Sequence, residues 1–144
     1  MAKLPFTKRN IAMLILNLAE KTGSEQIAAI ERGFPSSALE QIAKQLGVSK
    51  QSIISGLKLA KRTISARERD KKPFTMAESE RLLRVVRVRR LARAVFTTDE
   101  AVAEWLRTPD RSLGMKPPLD MLTTDIGTAK VENLARAMVH GVPL

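Results

Sequence analysis

The chain has 144 residues, 44% of them hydrophobic, enough for one domain or two small ones with a core and too many for a globally disordered chain. It contains no cysteine, which removes disulfides, thiolate nucleophiles and cysteine-ligated zinc together and suits a reducing cytoplasm. The net charge of +10 is uneven: residues 1–96 carry 20 Lys/Arg against 8 Asp/Glu, and residues 97–144 carry 5 against 7. A basic part beside a mildly acidic one predicts two jobs, and the basic part has the sign that neutralises phosphates.

Near the N-terminus, IAMLILNLA follows Lys3, Lys8 and Arg9 and superficially resembles a signal peptide. Asn17 breaks the run, no small-x-small cleavage site follows, and the run is too short to span a bilayer. It reads as an apolar helix or strand that packs on the body or pairs two subunits. Helix signals dominate from there on, and period-two runs of β-branched residues are missing. Ser24 is placed to cap a helix through EQIAAIERG, ending at Gly33. Ser37-Ala-Leu-Glu40 has the form of a capping box for a helix burying Leu39, Ile42, Ala43 and Leu46, stopped at Gly47. Ser49 caps a third helix with Ile53, Ile54 and Leu57 inward, and Ala60 to about Lys71 forms a fourth before Pro73.

Thr75-Met-Ala-Glu78 is another capping box and opens the longest helix, about Met76 to Phe96. Its first half clusters Leu82, Leu83, Val85 and Val86, with Arg81, Arg84 and Arg87 opposite. Its second half clusters Val88, Leu91, Ala92 and Val95 on a different side, at about 100° per residue. A helix burying two faces in succession touches two bodies, so it reads as a bridge between an N-terminal bundle and a C-terminal module; the alternative is a single bundle wrapped around it. Thr97-Thr-Asp-Glu100 caps the next helix, with Val102, Trp105 and Leu106 inward. TPDRSLGMKPPLDML is a shaped loop. The last helix runs from about Asp125 to Val139 and buries Val131, Leu134, Ala135 and Met138, with Lys130, Glu132, Asn133 and Arg136 outward. Gly141 ends it.

Catalytic chemistry has little to work with. His140 is the single histidine, no carboxylates cluster beside it, and neither a nucleophile elbow nor a glycine-rich phosphate loop occurs. The chain is therefore not expected to be an enzyme or to carry a cofactor. His140 fits a helix C-terminal cap or a contact with a partner.

Recognition remains, and one stretch offers it twice. In LEQIAKQLGVSKQSIISGL, Gly47 supplies the turn of a helix-turn-helix whose second helix shows Lys50, Gln51 and Ser55. One helix later, IISGLKLAKRTISAR repeats the device, with Lys58 where many such turns carry glycine. Its second helix shows Lys61, Arg62, Thr63, Ser65, Arg67 and Arg69. Lys58 to Lys72 contains seven Lys/Arg, whereas Ser49 to Leu57 contains only Lys50. A DNA-reading helix needs cations for phosphates and guanine edges, so charge favours the later register.

With these motifs in hand, Ser24 to Leu144 resembles the Xre-type antitoxins of RES–Xre toxin–antitoxin systems, whose relatives include MbcA and ParS. GFPSSALEQIAKQLGV resembles the family's first helix, LKLAKRTISAR its basic helix and TMAESERLLRV its bridging helix. AEWLRTPDRSLGMKPPLDMLTTDIGTAKVENLARAMVHGV, the most specific part, resembles its toxin-binding domain. The resemblance implies an all-α fold: an N-terminal helix-turn-helix bundle joined by a long bridging helix to a small C-terminal helical toxin-binding domain. It implies a cytoplasmic homodimer that binds double-stranded operator DNA and represses its own operon. It also implies a RES-domain toxin as partner, NAD-consuming or ADP-ribosylating, whose active site the last helix and tail cover. Carried over by position, Glu132, Arg136, His140, Gly141 and Val142 would touch the toxin, and Trp105, Gly114, Pro118, Leu119 and Asp120 would shape the module. Lys58, Lys61, Arg62, Thr63, Ser65, Arg67 and Arg69 would face DNA. The expected division is 1–23 for dimerisation, 24–96 for DNA and the bridging helix, and 97–144 for the toxin. The other reading is a stand-alone helix-turn-helix regulator with a C-terminal dimerisation or sensing module.

Overall fold

A computed structural model of the chain describes residues 8–141, with side chains from Ile11 onward apart from Ala12. Among these residues there are eight α-helices and no strand beyond one isolated bridge between Asp110 and Lys116. They are α1 (Lys8–Leu18), α2 (Gly23–Arg32), α3 (Ala38–Leu46), α4 (Lys50–Gly56), α5 (Lys61–Asp70), α6 (Met76–Arg93), α7 (Asp99–Arg107) and α8 (Asp125–Val139). Two 3₁₀ turns, Arg111–Leu113 and Pro118–Thr123, shape the proline-rich loop. The expected all-α bundle is the observed one.

The apolar run near the N-terminus is a helix. Ile11 and Ile15 of α1 are buried in the core, and α1 packs on α3 and α6. Leu39, Ile42 and Leu46 of α3 are fully buried, as are Ile53 and Leu57 at α4. Gly47 takes φ +69 as the left-handed cap of α3, the conformation that glycine adopts without strain. Ser49 accepts from the Ser52 amide and starts α4.

The helix starts hold three local corrections. Thr22 rather than Ser24 caps α2, its hydroxyl accepting from the Glu25 amide at 3.2 Å. Ser37 makes no capping bond: its backbone is already helical at φ −74, ψ −10. The chain enters α3 through a turn in which the Ala38 amide donates to the Pro35 carbonyl, and only an extended cap residue aims its hydroxyl at the next amides. Thr98 rather than Thr97 caps α7, accepting from Ala101. The Thr75–Glu78 box is present with both hydrogen bonds.

α6 is the axis of the molecule. It packs on α1, α2 and α3 and also on α7, α8 and the 118–123 turn. It ends at Arg93, short of Phe96, which turns back to pack its ring on Trp105 with centroids 5.7 Å apart. The buried side chains form one continuous core from Ile11 to Leu134. The expected bridge between two separate bodies is thus corrected: both faces of α6 are buried in one continuous core wrapped around it, because the N-terminal and C-terminal helices pack on each other as well as on α6.

Two charged residues expected at the surface lie inside this bundle. Arg84 is buried, not outward. Its guanidinium donates to the carbonyls of Leu122 and Thr123 at 3.0 Å and to Asp125 at 2.6 Å. Glu132 is also buried, held by Arg87 at 3.0 Å. In each pair the buried member, Arg84 or Glu132, meets an opposite charge on the facing helix whose own side chain stays in contact with solvent, so the buried charge is compensated. Arg89 and Arg93 converge on Asp99 at 3.0 and 3.6 Å, and Arg90 lies 3.8 Å from Glu20. Much of the positive charge in residues 1–96 therefore joins helices to one another.

Candidate nucleic-acid interface and partner-binding face

Both helix-turn-helix registers exist as geometry: α3, Gly47-Val48-Ser49 and α4, then α4, Leu57-Lys58-Leu59-Ala60 and α5. They differ in what surrounds the second helix. α4 packs against the 118–123 turn, and Gln51, Ser52 and Ser55 line an open crevice with Leu106, Pro117 and Leu119, Gln51 and Ser55 being themselves exposed. Gln51 donates to Ser55 at 3.1 Å, and Lys50, the lone cation of α4, pairs with Glu68 at 2.8 Å.

In contrast, α5 shows most of its circumference to solvent. Ile64 is its single buried residue and anchors it. Lys61, Arg62, Thr63, Ser65 and Arg69 are exposed. At about 100° per residue, Arg62, Ser65 and Arg69 fall on one outward stripe, and Lys61 lies beside the leading turn. Lys58 in that turn takes φ +52, the glycine-like conformation that its position in the motif suggests. Its side chain is exposed and its carbonyl accepts from Arg81 at 3.3 Å. Arg69 leans on its neighbour Asp70 at 3.1 Å. The ion pairs among the described residues leave Lys58, Lys61, Arg62, Lys71 and Lys72 uncommitted.

Arg67 differs from the rest of that set. It is half-buried, with Nε 2.7 Å from Glu78 at the start of α6. The contact is an ion pair without hydrogen-bond alignment, because that N–H does not point at the carboxylate. Arg67 thus ties α5 to α6, with Glu78 also accepting from the Thr75 amide at 2.7 Å.

Elsewhere on the surface, α8 presents Ile126, Ala129, Lys130, Asn133, Arg136 and His140 to solvent at three- and four-residue spacing. Ile126 is 75% exposed and Val139 46%, high values for apolar side chains. Arg136 approaches Asn133 at 3.4 Å, and Gly141 follows at φ +63. The face thus gathers Arg136, His140 and Gly141 but not Glu132. Val142 lies outside the described residues. Sequence reasoning also passed over Arg84, whose neighbours in the chain gave no signal of a partner 41 residues away. No group of three or more metal-ligating side chains occurs among the described residues.

An exposed basic helix behind a tight turn, and a separate helix with a half-apolar outer face, define a DNA-binding module fused to a protein-binding one. Residues 25–87 match the antitoxin Xre-like helix-turn-helix domain, and residues 91–141 match the antitoxin Xre/MbcA/ParS C-terminal toxin-binding domain. An antitoxin Xre of Yersinia enterocolitica is 30% identical over 96% of this chain and 94% of its own length. One of Photorhabdus laumondii is 32% identical over 84% and 82%. A protein of Sphingobium sp. named Prs ADP-ribosylating antitoxin is 28% identical over 81% and 79%. The chain belongs to the Xre antitoxin family. Its first domain implies DNA as a partner and its second a toxin protein, and its relatives point to a regulator rather than a catalyst. No helix among the described residues is long and apolar enough to cross a membrane.

Proposed function

We propose that this antitoxin neutralises a RES-domain toxin, NAD-consuming or ADP-ribosylating, by covering its active site, and that it binds operator DNA to repress its own operon. The observation that carries the DNA half is the contrast between α4 and α5. A reading helix must enter a groove about 12 Å wide. α4 packs against the 118–123 turn and its lone cation, Lys50, is paired with Glu68, whereas α5 stands clear with Lys61 and Arg62 exposed at its start. In this assignment Lys58, Lys61, Arg62, Thr63, Ser65 and Arg69 face the duplex, while Arg67 holds the helix that presents them.

The toxin half rests on the exposed face of α8, where Arg136, His140 and Gly141 lead to Val142. Glu132 supports that face from beneath by anchoring α8 to Arg87. The name of the Sphingobium relative links it to ADP-ribose chemistry, and a RES-domain toxin supplies such chemistry here. Residues 1–23 make a homodimer contact, for which exposed Met13 and Leu14 on α1 supply apolar surface. Residues 24–96 serve DNA and 97–144 serve the toxin, in the cytoplasm.

Co-expression of the full chain with the RES-domain open reading frame beside its gene tests the toxin half. Growth is rescued, the two proteins co-purify, and Arg136→Ala weakens both. Absence of rescue and of co-purification overturns it. DNA binding without toxin binding would instead identify a stand-alone regulator.

A further inference from the structure

Gly56 is the last residue of α4 and is buried. A Cβ there would lie 2.9 Å from Leu119 Cγ, closer than real Cβ atoms approach, and 3.1 Å from the Leu119 carbonyl oxygen, tighter than most real contacts. Glycine thus lets the 118–123 turn of the toxin-binding domain lie directly on the end of α4. The Thr123 hydroxyl donates to the Gly56 carbonyl at 2.8 Å, across 67 residues of chain. The last four carbonyls of a helix have no partner within it, and this one is satisfied by the other domain.

Two residues on, the Lys58 carbonyl takes its hydrogen bond from Arg81 of α6. The turn leading into α5 is therefore gripped from both sides, by Thr123 and Leu119 at Gly56 and by Arg81 at Lys58. Beyond that turn, α5 is tied down by Ile64 and by the Lys50–Glu68 and Arg67–Glu78 pairs. Its direction is thus fixed jointly by these contacts along its length and by the turn from which it starts.

We propose that Thr123 and Leu119, residues of the toxin-binding domain, are positioning residues for DNA reading: they set the angle at which α5 is presented. The inference rests on the reading of α5 as the DNA-reading helix. Contacts to base edges need side chains held to within about 0.5 Å, whereas phosphate contacts tolerate more play. Loosening the joint therefore costs sequence-specific binding before it costs non-specific binding.

The test uses the full chain, a duplex taken from immediately upstream of its own coding sequence, and a scrambled duplex of the same composition. Thr123→Val keeps the shape and removes the donor. It lowers affinity for the upstream duplex about three- to tenfold, the range of one net hydrogen bond, and leaves the scrambled duplex within about twofold. Thr123→Ser restores wild-type preference. A purely structural role would instead lower both affinities together. Independently of DNA, Thr123→Val speeds amide exchange across Lys61–Asp70 but not across Gly23–Arg32. Wild-type DNA preference with unchanged exchange in α5 overturns the joint. No preference for the upstream duplex in the wild-type protein overturns the reading of α5, and the positioning role falls with it.

Discussion

Arg84 of α6 and Asp125 of α8 meet at 2.6 Å, yet their surroundings are unequal: the Arg84 side chain is 11% exposed and the Asp125 side chain 86%. The same guanidinium also satisfies the carbonyls of Leu122 and Thr123, the last residues before the cap of α8. The value of this contact lies mainly with the buried carbonyls. An ion pair whose carboxylate is solvated contributes only about 0–1 kcal/mol. Arg84→Ala leaves both carbonyls without their donor and opens space beneath them, a loss of about 1–3 kcal/mol. Asp125→Asn costs less than about 1 kcal/mol. Urea unfolding of the two variants measures the difference. Equal losses would mean that the ion pair, and not the carbonyl clasp, holds α8 in place.

Lys58 yields a prediction of opposite signs for stability and binding. A non-glycine residue in the left-handed region costs about 1–2 kcal/mol, and glycine returns about 0.4–1 kcal/mol of that as unfolded-state entropy. Lys58→Gly therefore stabilises the fold by about 0.5–1 kcal/mol. It also removes an exposed cation beside α5, so DNA affinity falls and the salt slope of binding drops by about 1. A variant that is both less stable and normal in DNA binding contradicts both assignments.

Glu132 and Arg136 sit one turn apart on α8 and should separate cleanly. Glu132→Gln weakens a buried charge-assisted bond to Arg87 and lowers stability by about 1–2 kcal/mol. Arg136→Ala, on the exposed face, changes stability by less than about 0.5 kcal/mol and lowers toxin affinity. Paired thermal unfolding and toxin pull-down measure this. Loss of toxin binding in Glu132→Gln at unchanged stability would put Glu132 back at the interface.

The features legible in the sequence were those fixed locally. The Thr75–Glu78 box, the Gly47 stop and the span of α8 each depend on residues within one turn. The Thr22–Ser24 and Thr97–Thr98 choices were not legible, since each offers two hydroxyls and the backbone conformation selects one. Arg84 and Glu132 misled for a different reason. A helical stripe counts charge as outward, whereas a charge can be buried when a facing helix brings an opposite charge to it from the solvent side, and that pairing exists only in the tertiary fold. Gly56 carried no signal in the sequence, because Leu119 and Thr123 come beside it only after folding. The favoured register for DNA was suggested by charge and by the resemblance of LKLAKRTISAR to the family's basic helix. The packing of α4 on the 118–123 turn and the pairing of Lys50 with Glu68 support it on separate grounds.

The most direct measurement of the central claim is the binding of the upstream duplex by wild-type protein, Arg62→Ala and Gln51→Ala, each checked for unchanged unfolding. Arg62 is exposed on the outward stripe of α5, and Gln51 lies in the crevice between α4 and the toxin-binding domain. Loss of a guanine contact in Arg62→Ala costs about 1–3 kcal/mol, or roughly 5- to 150-fold in affinity, with relaxed sequence preference. Gln51→Ala stays within about twofold of wild type. Normal binding by Arg62→Ala together with a large loss in Gln51→Ala would contradict the account and make α4 the helix that reads DNA.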